Sequence, residues 1–361
     1  MFIFDAHLDL SMNAMEWNRD FRCDLDEIRR REASLTDKKD RGNGVVSFPA
    51  MRRGNIGLCV ATQIARYVKP ENKRSGWASP EQAWAHTQAQ LAWYRAMEED
   101  QQLLQITTKT GLNRHLDLWL ETTHSQGNTP NLPIGYILSL EGADSILTLD
   151  HLTRAYEYGL RALGPSHYGP GTYSAGTDSE GGFSVRGREL LKEMDRLGMI
   201  LDLTHLTDEA LNESFNQYQG PMWASHCNCR ALVPHQRQLS DEHIKLLIER
   251  KGVIGVVFDA WMMVPGWKRG ISTPAESKLK IEAIVSHIDH ICQMAGNAEN
   301  VGIGSDLDGG FGTEQCPTDL DSIERLQLIA TLLEARGYQS DDIERVMFRN
   351  WVNFLDRSWV A

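Results

Sequence analysis

Histidines and carboxylates recur in this chain directly after short apolar runs: Asp5-Ala6-His7-Leu8-Asp9, Leu140-Glu141-Gly142, Ser166-His167, Thr204-His205, Ser225-His226 and Gly304-Ser305-Asp306. A random scatter of the 12 His would not produce this set. His7 and Asp9 stand two apart, and alternate side chains of a strand point the same way, so both can face one centre and chelate a cation. His205 and His226 can add imidazole nitrogens from neighbouring strands. Glu141 lies between these groups in strand order, and its two oxygens can bridge two metals. Mixed nitrogen and oxygen ligation suits zinc, with manganese, cobalt and iron left open. Two such ions about 3.5–4 Å apart polarise a carbonyl and acidify a bridging water, which is hydrolytic chemistry.

The apolar runs that would carry these residues are Phe2–Phe4, Ile56–Thr62, Ile134–Leu140, Gly159–Leu163, Met199–Leu203, Met222–Ala224, Val253–Phe258 and Val301–Ile303. Several are continuous rather than alternating, as strands buried on both faces require. Helical patterns lie between them. Ser79-Pro80-Glu81-Gln82 reads as an N-cap with Pro at the first helical position, and Trp84, Thr87, Leu91 and Tyr94 come next on one face. Thr207 and Ser240 are N-cap residues ahead of acidic first turns, Gly198 is a C-terminal glycine, and Ser340 opens a last helix. The alternation predicts an α/β fold, a (β/α)₈ TIM-type barrel, regular or distorted, built as one domain over residues 1–361. The Arg- and Lys-rich stretch Asp24–Gly54 reads as a helical and loop insertion after the first strand. Active sites of such barrels lie at the C-terminal ends of the strands, where the candidate ligands fall.

Composition narrows the classes further. The chain has 361 residues, with 37 Lys and Arg against 49 Asp and Glu, a net charge of −12 that disfavours nucleic acid as a partner. No apolar run approaches the roughly 20 residues that span a bilayer, so no membrane partner is expected. The start of the chain lacks the basic and apolar regions of an export signal, and the six Cys contain no CxxC pair. A cytoplasmic location with reduced thiols is the expectation. There is no Gly-x-Ser-x-Gly elbow, His-Glu-x-x-His helix or Walker loop.

Taken together, His7-Leu8-Asp9, Leu140-Glu141-Gly142, Leu203-Thr204-His205, Ser225-His226 and Gly304-Ser305-Asp306-Leu307-Asp308-Gly309 resemble the membrane (renal) dipeptidase family, binuclear zinc peptidases of the amidohydrolase superfamily. The resemblance runs through Asn228-Cys229-Arg230-Ala231-Leu232-Val233-Pro234 to Asn350-Trp351 near the end. It implies two Zn²⁺ per chain, one on His7 and Asp9, the other on His205 and His226, with Glu141 bridging. It also implies that Asp306 is the acid/base, that His167 polarises the scissile carbonyl, and that Arg237 grips the C-terminal carboxylate of a small dipeptide. A homodimer and tolerance of a C-terminal D-residue are further implications. The expected reaction is dipeptide hydrolysis by a metal-bridging hydroxide. An N-acyl amino acid deacylase, a β-lactamase-like hydrolase and a noncatalytic metal-binding barrel are the alternatives. Unlike animal members, this chain shows no export signal, GPI tail or evident basis for a cystine-linked dimer, and the Trp261-Met262-Met263 loop looks specific to a subfamily.

Other suggestive residues read as structure. His287 and His290 read as a solvated helix face, Cys227 and Cys229 as buried thiols pointing away from His226, and Trp84, Trp93 and Trp119 as helix-to-barrel packing. Arg29-Arg30-Arg31 and Arg52-Arg53 read as solvated charge.

Overall fold

The structure, a computed structural model, describes residues 1–69, 74–126 and 131–359. Nine parallel strands form its sheet: β1 (Ile3–Leu8), β2 (Ile56–Gln63), β3 (Leu103–Gln105), β4 (Ile134–Glu141), β5 (Leu160–Gly164), β6 (Ile200–Asp202), β7 (Met222–Trp223), β8 (Ile254–Val256) and β9 (Val301–Ile303). Their lateral order is β7-β6-β5-β4-β2-β1-β9-β8, and a bridge from Ala224 to Ile254 brings β7 and β8 together, so eight strands form a nearly closed barrel. Helices fill the connections, giving the expected TIM-type (β/α)₈ architecture. The ninth strand, β3, has no counterpart among the apolar runs of the sequence. It pairs with Ile134–Tyr136 of β4 on the side where β5 takes over from Leu138. Its three residues alternate in exposure and carry no long apolar run.

Two kinds of contact bring the strand ends close. Gly255 and Gly304 lie against the Ser225 carbonyl, where any Cβ would strike it, so β7, β8 and β9 can converge only with glycine at both positions. Asp5 at the centre of β1 accepts from Ser305 N (2.8 Å) and Ser305 Oγ (2.5 Å), pinning the turn after β9 to the first strand. Beneath the barrel, the indole of Trp351 donates to Ile303 O (3.0 Å) and covers Gly302. The helical caps at Ser79, Thr207 and Ser240 each accept from a backbone N–H three residues on. The last helix begins at Ser340 as expected, and a π-helical turn at Arg345–Arg349 interrupts it before Asn350–Ser358.

The stretch after β1 contains the helices Leu25–Glu32 and Phe48–Arg53 and is fastened by a buried arginine. Arg19 Nε meets Glu32 Oε1 at 2.9 Å, and its Nη2 meets Asp40 Oδ2 at 3.0 Å. Nη1 donates to Asn13 Oδ1 (2.8 Å) and lies 3.5 Å from Asp308 Oδ2. Asp308 in turn accepts from Val45 N (2.9 Å) and Val46 N (3.0 Å), tying this stretch to the loop after β9. Of the arginines read as solvated, Arg30, Arg31 and Arg53 are exposed, whereas Arg29 and Arg52 are anchored: Arg29 Nε donates to Gly44 O (2.9 Å) and Arg52 Nε to Leu132 O (3.0 Å). Removing Arg19 strands buried carboxylates, so Arg19→Met is expected to cost about 3–5 kcal/mol in urea denaturation. A loss under about 1 kcal/mol would show that the network does not hold this stretch in place.

Candidate metal centre

The C-terminal ends of the strands and the loops that follow them carry all eight residues singled out in the sequence, and the folded chain gathers them around one cavity of about 200 Å³, seven of them on its lining and His7 immediately behind. His7 is the last residue of β1 but one. Asp9 differs from expectation, because the strand ends at Leu8 and Asp9 occupies the N-cap position of the helix Leu10–Glu16 without a side-chain capping bond. A shift in register between Asp5 and Leu8 re-aims this end, and His7 Nε2 still lies 3.7 Å from Asp9 Oδ1. Glu141 ends β4, ahead of Gly142 at φ +82°, where an L side chain is strained. His205 and Asp306 themselves adopt positive φ (69° and 58°), a conformation non-glycine residues hold only under constraint from their surroundings.

Glu141 is the hub. Its Oε1 lies 3.1 Å from His205 Nε2, 3.5 Å from His226 Nε2 and 3.7 Å from His7 Nε2. His167 Nε2 stands 3.9 Å from Oε2. Three sets of donors fall within 4.8 Å of one another: His7, Glu141 and His226; Glu141, His167 and His205; and His7, Asp9 and Asp306. This grouping overlaps the expected pairing without reproducing it, since His167 and Asp306 also sit within ligand range. Buried His7 Nε2 has no hydrogen-bond partner among the described residues. A fully buried imidazole nitrogen without a partner is costly, and a cation supplies what the protein does not.

The other ring nitrogens distinguish ligands from donors. His205 Nδ1 meets Thr177 Oγ1 at 3.0 Å, and His226 Nδ1 meets Ser225 Oγ at 2.9 Å. Donation from Nδ1 to those hydroxyls leaves each Nε2 with its lone pair turned toward the cavity, as metal-binding histidines have, although Arg237 Nη2 also reaches His205 Nε2 at 3.4 Å. His167 is the reverse case. Its Nδ1 meets the Arg66 guanidinium, which can only donate, so Nδ1 accepts and Nε2 carries the hydrogen. Asp9 accepts from Thr62 Oγ1.

Electrostatically the cluster is strained without added positive charge. Burial and then neighbouring carboxylates push Glu141 and Asp306 well above the usual carboxylate range, and burial takes Asp9 to about 6. Burial first, with Arg237 second, takes His7 down to about 3. Burial likewise holds His167, His205 and His226 well below the ordinary imidazole value. Arg237 is buried beside them, donating to His226 O (2.9 Å) and lying 3.0 Å from Cys227 Sγ. Cys229 N donates to His287 Nδ1 (3.1 Å), so His287 is a buried structural partner and not part of a solvated face.

Arg66 and Asp259 escape a reading of motifs alone. Each lies just beyond the C-terminal end of a strand, β2 and β8, that carries no histidine or carboxylate motif at its tip. The signal that marks them is position: a charged residue shortly past any barrel strand is a candidate for the functional rim, whatever its neighbours.

Comparison with known proteins accords with this geometry. The sequence profile of the membrane dipeptidase family, peptidase family M19, matches residues 1–357. The chain belongs to this family. A dipeptidase of Aspergillus oryzae, aclJ, is 27% identical over 357 residues, covering 97% of this chain and 76% of its own length. Dipeptidase tcpJ of Claviceps purpurea is 28% identical over 174 residues, covering 48% of this chain and 38% of that protein. Among solved structures, a Rhodobacter sphaeroides metallopeptidase bound to a phosphinate mimic of L-Ala-D-Ala superposes with a TM-score of 0.78 at 22% identity, covering 99% of both chains. The family and fold expected from the motifs are those found. Among the described residues, no helix is long and apolar enough to cross a membrane.

If the hydroxyl orients His205 as a ligand, Thr177→Val is expected to weaken divalent-cation affinity about 10- to 100-fold in chelator competition. Unchanged affinity would remove His205 from the set.

Proposed function

We propose that this M19 chain is a metal-dependent dipeptidase, with His7 and Asp9 holding one cation, His205 and His226 the other, and Glu141 between them. The observation that carries the reading is the convergence of the His7, His205 and His226 Nε2 atoms on Glu141, with His7 Nε2 lacking any hydrogen-bond partner among the described residues. The mixed imidazole and carboxylate donors suit two zinc ions. Bound there, the cations would polarise the scissile carbonyl and lower the pKa of water.

The remaining work falls to the chain's own groups. His167 presents an N–H toward the cavity and stays neutral, which suits it to stabilise charge growing on the carbonyl oxygen. Asp306 Oδ1, 3.7 Å from His7 Nε2, is poised to take a proton from water and deliver it to the departing amine. Buried Arg237 offers a planar fork for the substrate's free carboxylate. A cavity of about 200 Å³ matches a short substrate. The ligand of the R. sphaeroides protein makes L-Xaa–D-Yaa dipeptides a reasonable substrate class here as well. We read the chain as one barrel unit, with residues 24–54 as an insertion that buttresses the Asp306 loop.

The test is the metal-loaded protein assayed on Ala-Ala in all four stereochemical forms, with N-acetyl-alanine alongside. Dipeptide hydrolysis lost on chelation and restored by metal supports the reading. Hydrolysis of N-acetyl-alanine alone favours a deacylase. Asp306→Asn is expected to lower kcat about 10²- to 10⁴-fold with metal content unchanged, and near-normal turnover would refute its role.

A further inference from the structure

Two larger cavities open off the metal centre, and they differ in character. One, of about 660 Å³, shares Met12, Trp17, Ile64 and His167 with the centre and adds Met15 and Trp77 beside Glu16, Lys38 and His86, with Arg66 on the wall it has in common with the second cavity. The other, of about 780 Å³, shares Tyr168, Asp259, Gly309 and Gly310 and is lined by Lys39, Arg66, Arg74 and Arg269. Four cations around one cavity stand out in a chain of net charge −12.

Among the described residues, two carboxylates line this second cavity, Asp259 and Glu314, and neither lies within ion-pair distance of a Lys or Arg there. Asp259 accepts from Trp261 Nε1 (2.6 Å) and Gln315 Nε2 (2.7 Å), while Glu314 accepts from Gly312 N (3.0 Å). Burial raises both, Asp259 to about 6. The guanidiniums are held by other groups. Arg269 donates to the Tyr168 hydroxyl (2.7 Å) and lies 3.8 Å from the Trp261 ring centroid. Arg74 lies 5.3 Å from the Tyr168 ring and reaches Asp178, a residue outside the cavity lining, at 3.2 Å. Arg66 spans Ser75 O (3.3 Å) and His167 Nδ1, and its buried Nε has no partner among the described residues. Guanidiniums packed on aromatic faces are held in place and desolvated on one side, which strengthens their attraction for an anion arriving on the other.

Position assigns the end of the substrate. Arg237 and Tyr168 line the metal cavity together, and Tyr168 also lines the basic cavity, where Arg269 and Arg74 lie against its ring. A residue whose main-chain carboxylate lies on Arg237 can send its side chain past Tyr168 into the basic cavity. We propose that this cavity is a subsite for an anionic side chain on the C-terminal residue, making dipeptides that end in Asp or Glu the preferred substrates. The proposal rests on the dipeptidase reading and deepens it by naming the substrate class.

The experiment compares kcat/KM of the metal-loaded enzyme for Ala-Glu and the near-isosteric Ala-Gln, with both C-terminal configurations, and for Glu-Ala against Gln-Ala. Ala-Glu is expected to exceed Ala-Gln by about tenfold or more, with no matching preference for Glu-Ala over Gln-Ala. Arg269→Gln combined with Arg74→Gln is expected to bring the Glu-to-Gln ratio down to about threefold or less, a readout that general damage to the enzyme does not move. Hydrolysis of Ala-Gln and Ala-Ala without a preference for Ala-Glu overturns the subsite and leaves the dipeptidase reading standing. An equal preference for Glu-Ala, or a ratio unchanged in the double variant, also overturns it. Failure on every dipeptide overturns both.

Discussion

Seven ionisable side chains, four imidazoles and three carboxylates, crowd the mouth of this barrel in three overlapping groups, each with its ligand atoms within 4.8 Å of one another. Water is largely kept from them, so the carboxylates resist ionisation and the imidazoles resist protonation. Such a cluster is poorly satisfied by protein contacts alone, and His7 Nε2, without a partner among the described residues, is its clearest symptom. Positive charge inserted between the groups lets the carboxylates ionise and gives the nitrogens an acceptor for their lone pairs. The rest of the structure can be understood as what keeps these groups from relaxing apart.

That restraint is built in layers. Asp5 clamps the turn after β9 to β1, while Gly255 and Gly304 allow three strand ends to converge on Ser225. Behind the clamp, Arg19, Glu32, Asp40 and Asp308 lock the loop that carries Asp306 to the stretch after β1. His205, Asp306 and Asp308 all sit at positive φ, each at a cost of order 1–3 kcal/mol that well-packed surroundings must offset. Strain of this kind is stored where side chains must be aimed, and here it lies at the functional rim.

Much of this could be read in the sequence, for physical reasons. Strands buried on both faces leave continuous apolar runs, and a barrel confines chemistry to one rim, so His205 and His226 announced themselves by position. Three features could not be read so easily. β3 has only three residues and one buried position, too little for a hydrophobic signal. The burial of His287 depends on a contact with Cys229, 58 residues earlier, which helical periodicity does not encode. The partition of His167 from its neighbours depends on Arg66, 101 residues earlier in the chain and placed by a loop rather than a strand. Local pattern reveals which side chains reach the rim, whereas their protonation and pairing depend on tertiary contacts.

The most direct test of the central claim is anomalous diffraction from crystals grown with the metal-loaded protein. The account predicts two peaks about 3.5–4 Å apart, one within bonding distance of His7 and Asp9, the other of His205 and His226, with a Glu141 oxygen reaching each. A single peak, or peaks away from Glu141 with the His7 imidazole left bare, would contradict it.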